Sequence, residues 1–144
     1  MKPSEFISKL DDGKLLKAIE DAEKKSSGEV RVFVSHKRIH EPLAAAQKQF
    51  EKLGMTRTKH RNGVLIFIAP HTHKFAIVGD TGIHEKCGEA FWKEISGLMS
   101  ERLKRAEWTQ AVVEAIERIG ETLARHFPRE PGDVNELPDR IERD

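Results

Sequence analysis

The sequence predicts an α/β protein, a three-layer α/β/α sandwich built on a small mixed sheet, and three observations lead there. Stretches with a hydrophobic period near 3.6 alternate with stretches of strand character, in the order α-β-α-β-β-α-α. The run Gly63-Val-Leu-Ile-Phe-Ile-Ala69 is apolar without alternation, the pattern of a central strand covered on both faces, so helices must lie on both sides of it. Only four residues, Pro70 to His73, separate that run from Lys74-Phe-Ala-Ile-Val-Gly79. A connection this short suits a hairpin and cannot hold a crossover, so the third strand is predicted to be antiparallel.

Each element has its own signal. From Asp11 to Ser27, Leu15, Leu16, Ile19 and Ala22 recur at helical spacing behind Asp11 or Asp12, either of which can cap the exposed amides, and Gly28 suits the exit. In Glu29-Val-Arg-Val-Phe-Val-Ser35, Val30, Val32 and Val34 share one face of a strand. Pro42 stands where a first helical turn tolerates it, Leu43, Ala46, Phe50 and Leu53 form a stripe, and Gly54 closes a second helix over about 42–53. After the hairpin, Ile83, Cys87, Phe91, Ile95 and Leu98 trace one helical face, and Trp108, Val112, Ala115, Ile116, Ile119 and Leu123 trace another. The β-α-β crossover from first to second strand is predicted to be right-handed. Three strands make a thin sheet, which leaves room for a short fourth.

Composition narrows the function. The 144 residues carry 25 Lys+Arg against 24 Asp+Glu, which suits one domain and gives no overall field to attract nucleic acid or an anionic membrane. Cys87 is the single cysteine, so no intramolecular disulfide and no Cys-rich zinc site can be written, and a reducing compartment fits. With neither an export-signal pattern nor an apolar run of about 20 residues, the expectation is a soluble cytoplasmic protein without a transmembrane segment. The domain is predicted over 1–127. Residues 128–144 form an acidic, proline-containing tail whose composition argues against a packed element of its own, although Val134, Leu137 and Ile141 can dock on the body.

The topology also predicts a site. A hairpin centred between His71 and Thr72 opposes Gly63 to Asp80 and Asn62 to Thr81, and a parallel first strand beside the second starts at Glu29 on the same sheet edge. Glu29, Asn62, Asp80 and Thr81 are thereby gathered with the loop Thr56-Arg-Thr-Lys-His-Arg61. Carboxylate, amide and hydroxyl oxygens are what a hard divalent ion such as Ca²⁺ or Mg²⁺ takes. Arg57 and Arg61 nearby could receive a phosphoryl group, with the ion as Lewis acid, which would allow phosphoester hydrolysis. The plainer reading is that Asp80 or Thr81 caps the helix near Ile83 while Glu29 pairs with a neighbouring cation. The location is unusual, because open parallel sheets bind ligands beyond the carboxyl ends of their strands and this edge holds the amino ends.

Several of these segments resemble the TPM domain family: Ser27-Gly28-Glu29-Val30-Arg31-Val32, Phe50 to Ala69, and Lys74 to Ile83. Phe91-Trp92, His126-Phe127-Pro128 and Asn135-Glu-Leu-Pro-Asp139 look like its short bacterial branch. The resemblance implies a mixed α/β sandwich. Some plant relatives are described as acid phosphatases, some members bind calcium, and others are accessory factors for photosystem repair or receptor function. Carried over, the matching polar positions are Glu29, Asn62 and Asp80. Many bacterial members are exported and membrane-anchored, features this sequence does not predict.

Other motifs carry less. Asp80-Thr81-Gly82 spells the aspartic-protease triplet, but that chemistry needs two such Asp in an all-β setting. Cys87 continues an apolar stripe and reads as a packed thiol. His71 and His73 lie in the hairpin turn without a third ligand at recognisable spacing. Neither G-x-G-x-x-G nor a P-loop occurs. Two readings stand open: a divalent-cation site with phosphatase activity as its enzymatic version, or a non-catalytic accessory module that engages a protein partner. No residue is identified as the attacking nucleophile.

Overall fold

A computed structural model describes residues 10–129 and 141–144. In chain order they form α1 (Asp12–Lys25), β1 (Glu29–Val34), α2 (Pro42–Lys52), β2 (Gly63–Ala69), β3 (Lys74–Gly79), α3 (Thr81–Lys104), α4 (Trp108–His126) and β4 (Ile141–Arg143). Short 3-10 turns at Met55–Arg57 and Pro70–Thr72 flank β2. The strands lie in the order β3-β2-β1-β4. The α/β architecture and element order follow the hydrophobic pattern, with β4 added at one edge.

The hairpin has the register its length predicts: Val64 pairs with Gly79 and Leu65 with Val78, and the same frame continues to Ala69 and Lys74. β1 runs parallel to β2, Glu29 beside Gly63 and Val34 beside Ile68. β2 is buried along its whole length because both of its faces are covered. Val30, Val32, Val34, Val64, Ile66 and Ile68 pack on one face against α1, α3 and α4. On the other, Phe33, Leu65, Phe67 and Ala76 meet Ala46 and Phe50 of α2, with Phe33 and Phe67 stacked at 5.5 Å.

Helix α1 begins where the Asp11 carboxylate accepts from the Lys14 amide at 3.1 Å. It lies against α4, where a Cβ on Gly120 would come 2.7 Å from Ala22 Cβ. That close approach is a reason for glycine in mid-helix.

Two features go beyond the sequence reading. Helix α3 bends at Gly88, which has φ 73° and ψ 176°, so its apolar stripe belongs to two short amphipathic pieces rather than one straight rod. Residues 141–143, in the tail where composition showed no element, pair parallel with β1, Val32 beside Ile141 and Val34 beside Arg143. Three residues are too few to show a period, and what places them is distant. Arg31 Nη1 donates to Glu142 at 3.1 Å, and Arg143 reaches Asp12 at 2.9 Å. The motif Asn135 to Asp139, with Val134 and Leu137, lies outside the described residues. Among the described residues no helix is long and apolar enough to cross a membrane.

Candidate functional site

The sheet edge at the amino ends of β1 and β2 brings three distant segments together through the backbone. Asp80 N donates to Gly63 O at 2.9 Å, and Glu29 N donates to Asn62 O at 3.4 Å. Asp80 is the best-held side chain there. Its carboxylate is 4% exposed and accepts from Arg61 Nε at 2.6 Å and Nη2 at 2.7 Å, and from the Thr81 amide at 2.7 Å. This two-pronged geometry is the strong form of a charge-assisted pair. The hydrogen bond and the charge of Asp80 raise the Arg61 pKa further above its already high ordinary value. The Thr81 contribution is its amide; its side chain is exposed.

The same strand-to-helix junction is closed by Gly82, whose amide donates to Arg61 O at 2.8 Å. A Cβ on Gly82 would lie 2.0 Å from His60 O, so only glycine lets the loop cross here. Asp80-Thr81-Gly82 is thus a cap followed by a crossing point. Asn62 is almost fully buried: its amide donates to Thr58 Oγ1 at 3.2 Å, its Nδ2 to Ser27 Oγ at 3.2 Å, and its Oδ1 has no partner.

Glu29 is buried at the head of β1. Strand alternation puts Glu29 and Asp80 on the α2 face, one strand to either side of Gly63, roughly 10 Å apart between Cα atoms. Met55 lies over the glycine between them, since a Cβ on Gly63 would meet Met55 O at 3.1 Å and Met55 Cε at 3.5 Å. Asn62 turns the other way, toward Ser27. Arg57 is exposed and folds back along Gly54, so it does not reach Asp80. The structure therefore joins Arg61, Asp80 and Thr81 directly, sets Asn62 beside them on the backbone, and holds Glu29 across Met55. Among the described residues no three His, Cys, Asp or Glu side chains are grouped to hold a metal.

Residues 1–122 match the TPM domain. The chain belongs to the TPM domain family. It is similar to the NMR structure of the BA42 protein from the psychrophilic bacterium Bizionia argentinensis, with 34% identity over 94% of this chain and 96% of that one, and a TM-score of 0.86. The N-terminal domain of cg2496 from Corynebacterium glutamicum has the same fold at 16% identity, covering 86% of this chain and 77% of that one, with a TM-score of 0.61. No curated protein matches the sequence.

The other motifs of this TPM domain have structural settings. The Cys87 thiol approaches Ile83 O at 3.1 Å, packs against the core, and burial pushes its pKa up. His73 is exposed at the end of the hairpin turn with φ 54°.

The sequence reading did not find a second concavity, at the opposite end of the parallel strands. A cleft of about 570 Å³ opens between the loop after β1 and helix α2, and Lys37, Arg38, Lys48, Lys52 and Asp144 line it. Two signals were available. Ligands of open α/β sheets sit at the carboxyl ends of strands. Lys48 and Lys52 stand one helical turn apart, a like-charge spacing that helices disfavour.

Proposed function

We propose that this TPM domain binds one divalent cation, Ca²⁺ or Mg²⁺, at the rim around Asp80, and that it serves as a non-catalytic accessory module whose rim loop is steadied by the ion. The observation that carries the reading is Asn62 Oδ1, a buried amide oxygen without a partner next to an acidic junction. An orphaned acceptor of this kind costs about 1–3 kcal/mol and calls for an ion or water to satisfy it. Asp80 and Thr81 would hold the ion, and Asn62 and Glu29 would have to turn toward it as the rim loop rearranges, since Asn62 is directed to Ser27 and Glu29 lies across Met55. Arg61 is the competitor. Its side chain is 47% exposed and can leave into solvent while the ion takes its place on Asp80. Displacing a bidentate arginine makes the site weak, with a dissociation constant on the order of 10⁻⁴–10⁻³ M, the range of open calcium modules.

Phosphomonoester hydrolysis is the other reading of the same rim, and the geometry favours it less. Arg61 Nε and Nη2 are both engaged by Asp80, and Arg57 points away along Gly54. Among the described residues, the hydrogen bonds of Arg61, Asn62, Asp80 and Thr81 do not set a hydroxyl beside a base that would make it a nucleophile.

Thermal melts with Ca²⁺, Mg²⁺ or chelator test the proposal, each variant compared with itself with and without ion. At ten times the dissociation constant the ion should add about 1.4 kcal/mol, a rise of roughly 3–5 °C. Asp80→Asn should lose the response, and Arg61→Ala should respond at lower ion concentration. Identical melts with ion and with chelator in all three proteins would remove the cation site. A divalent-dependent hydrolysis of an aryl phosphate that Asp80→Asn abolishes would establish the phosphatase instead.

A further inference from the structure

We propose that the cleft at the carboxyl ends of β1 and β2 binds a small phosphoryl anion, free or as a phosphate ester, and that the Asp144 carboxylate is the chain's own occupant of that seat. The floor is apolar, formed by the stacked rings of Phe33 and Phe67. Lys37 and Arg38 come from the loop after β1, and Lys48 and Lys52 from α2. Two carboxylates, Glu41 and Asp144, line the cleft with these four cations. None of the four cations forms a close salt bridge with a described residue, although Lys37 attracts the Asp144 carboxylate.

The seat is defined by what Asp144 does. Its Oδ2 accepts from the buried Ser35 hydroxyl at 2.5 Å, and its Oδ1 accepts from the His36 amide at 2.7 Å. Ser35 Oγ in turn accepts from the Lys37 amide at 3.2 Å, which fixes the hydroxyl in place. A buried hydroxyl, a main-chain amide and nearby cations are the donors a phosphoryl oxygen uses. Burial by itself would raise the Asp144 pKa, yet the hydrogen bonds from Ser35 and His36 and the attraction of Lys37 and His36 bring it below the ordinary value. With Glu41 counted, the four cations exceed the other lining carboxylate by three charges, and a phosphoryl group matches that surplus better than the single charge of the Asp144 side chain.

Topology points to the same place. From β1 the chain leaves to α2 on one sheet face and returns in β2 on one side, while β4 lies on the other side of β1. The crevice outside the carboxyl ends of the strands is where open α/β sheets bind ligands.

The experiment is an amide NMR titration of the whole chain at fixed ionic strength, with inorganic phosphate in one arm, glycerol phosphate in a second and chloride as control. Saturable shifts should centre on Ser35, His36 and Lys37, and the tighter of the two phosphate arms identifies the free or the esterified group. Asp144→Asn removes the competing charge and should tighten binding several-fold, whereas Lys37→Ala with Arg38→Ala should weaken it about tenfold. Because Asp144→Asn also loosens the end of β4, Lys48→Ala with Lys52→Ala provides a variant on another element, and it too should weaken binding. Shifts that chloride reproduces would overturn the site. Binding that Asp144→Asn leaves unchanged would overturn the occupied seat, and binding indifferent to both double variants would overturn the location.

Discussion

A methyl group at position 82 would have to share space with two carbonyl oxygens, His60 O at 2.0 Å and Arg61 O at 2.6 Å, neither of which can rotate away as a side chain would. Gly82→Ala should therefore cost at least about 2–3 kcal/mol, the upper range for overpacking, and urea denaturation would show it as a lowered midpoint at unchanged slope. Arg61→Ala should be milder. It leaves the Asp80 carboxylate, 4% exposed, without its cation, but Arg61 itself is half in solvent, so solvent screening should hold the loss below that of a fully buried pair. At this scale the sequence was partly readable. The placing of Asp80 and Asn62 at one edge follows from hairpin arithmetic on residues 63–79, and that of Glu29 from a parallel first strand beside the second. The Arg61–Asp80 pair does not, because it depends on a loop in which Arg61 adopts φ 51° without a glycine to announce it.

Elements show where a periodic pattern stops being informative. The stripe from Ile83 to Leu98 is real, yet Gly88 divides it, and a lone glycine in a helical pattern usually signals only a weaker helix. At φ 73° and ψ 176° the position lies in a region essentially reserved for glycine, while a Cβ there would meet nothing within 4 Å. Gly88→Ala should thus cost about 1–3 kcal/mol through backbone strain alone, and substitution by larger residues should cost no more, which a denaturation series would reveal. Strand β4 is the converse case, too short for a pattern and held by charge. Arg31 and Glu142 are 4% and 15% exposed. Glu142→Ala should destabilise by about 3 kcal/mol because it strands a buried guanidinium. Asp144, next along, makes the end of β4 sensitive to acid. Its folded pKa is below the unfolded value of about 3.9, so its contribution is complete above that pH and is lost as the pH falls through the folded value. Between neutral pH and the acid limit, wild type should lose stability that Asp144→Asn does not have to lose, as paired pH-dependent melts would report.

For the whole molecule, the decisive geometric fact is that the two candidate sites sit at opposite ends of the same parallel strands. The rim at Asp80 lies at the amino ends and the basic cleft at the carboxyl ends, six residues of β1 apart, or about 20 Å at the rise of a strand. Fold class, strand order within the hairpin and the two-sided cover of β2 were all present in the apolar runs. Which end of the sheet carries the surplus of cations was not, because Lys37, Arg38, Lys48 and Lys52 become neighbours only when α2 folds back over β2 and β3. The separation has a thermodynamic consequence. At physiological ionic strength charges are screened over about 8 Å, and sites with no shared contacts act additively. Calcium and phosphate should then stabilise this TPM domain independently, the melt with both ligands displaced by the sum of the two single shifts. Asp80→Asn should remove the calcium part alone, and Lys48→Ala with Lys52→Ala the phosphate part alone. A phosphate response that appears only with calcium present, and that disappears in Asp80→Asn, would mean instead that metal and phosphoryl group meet at the rim, the arrangement a metal-assisted phosphatase needs.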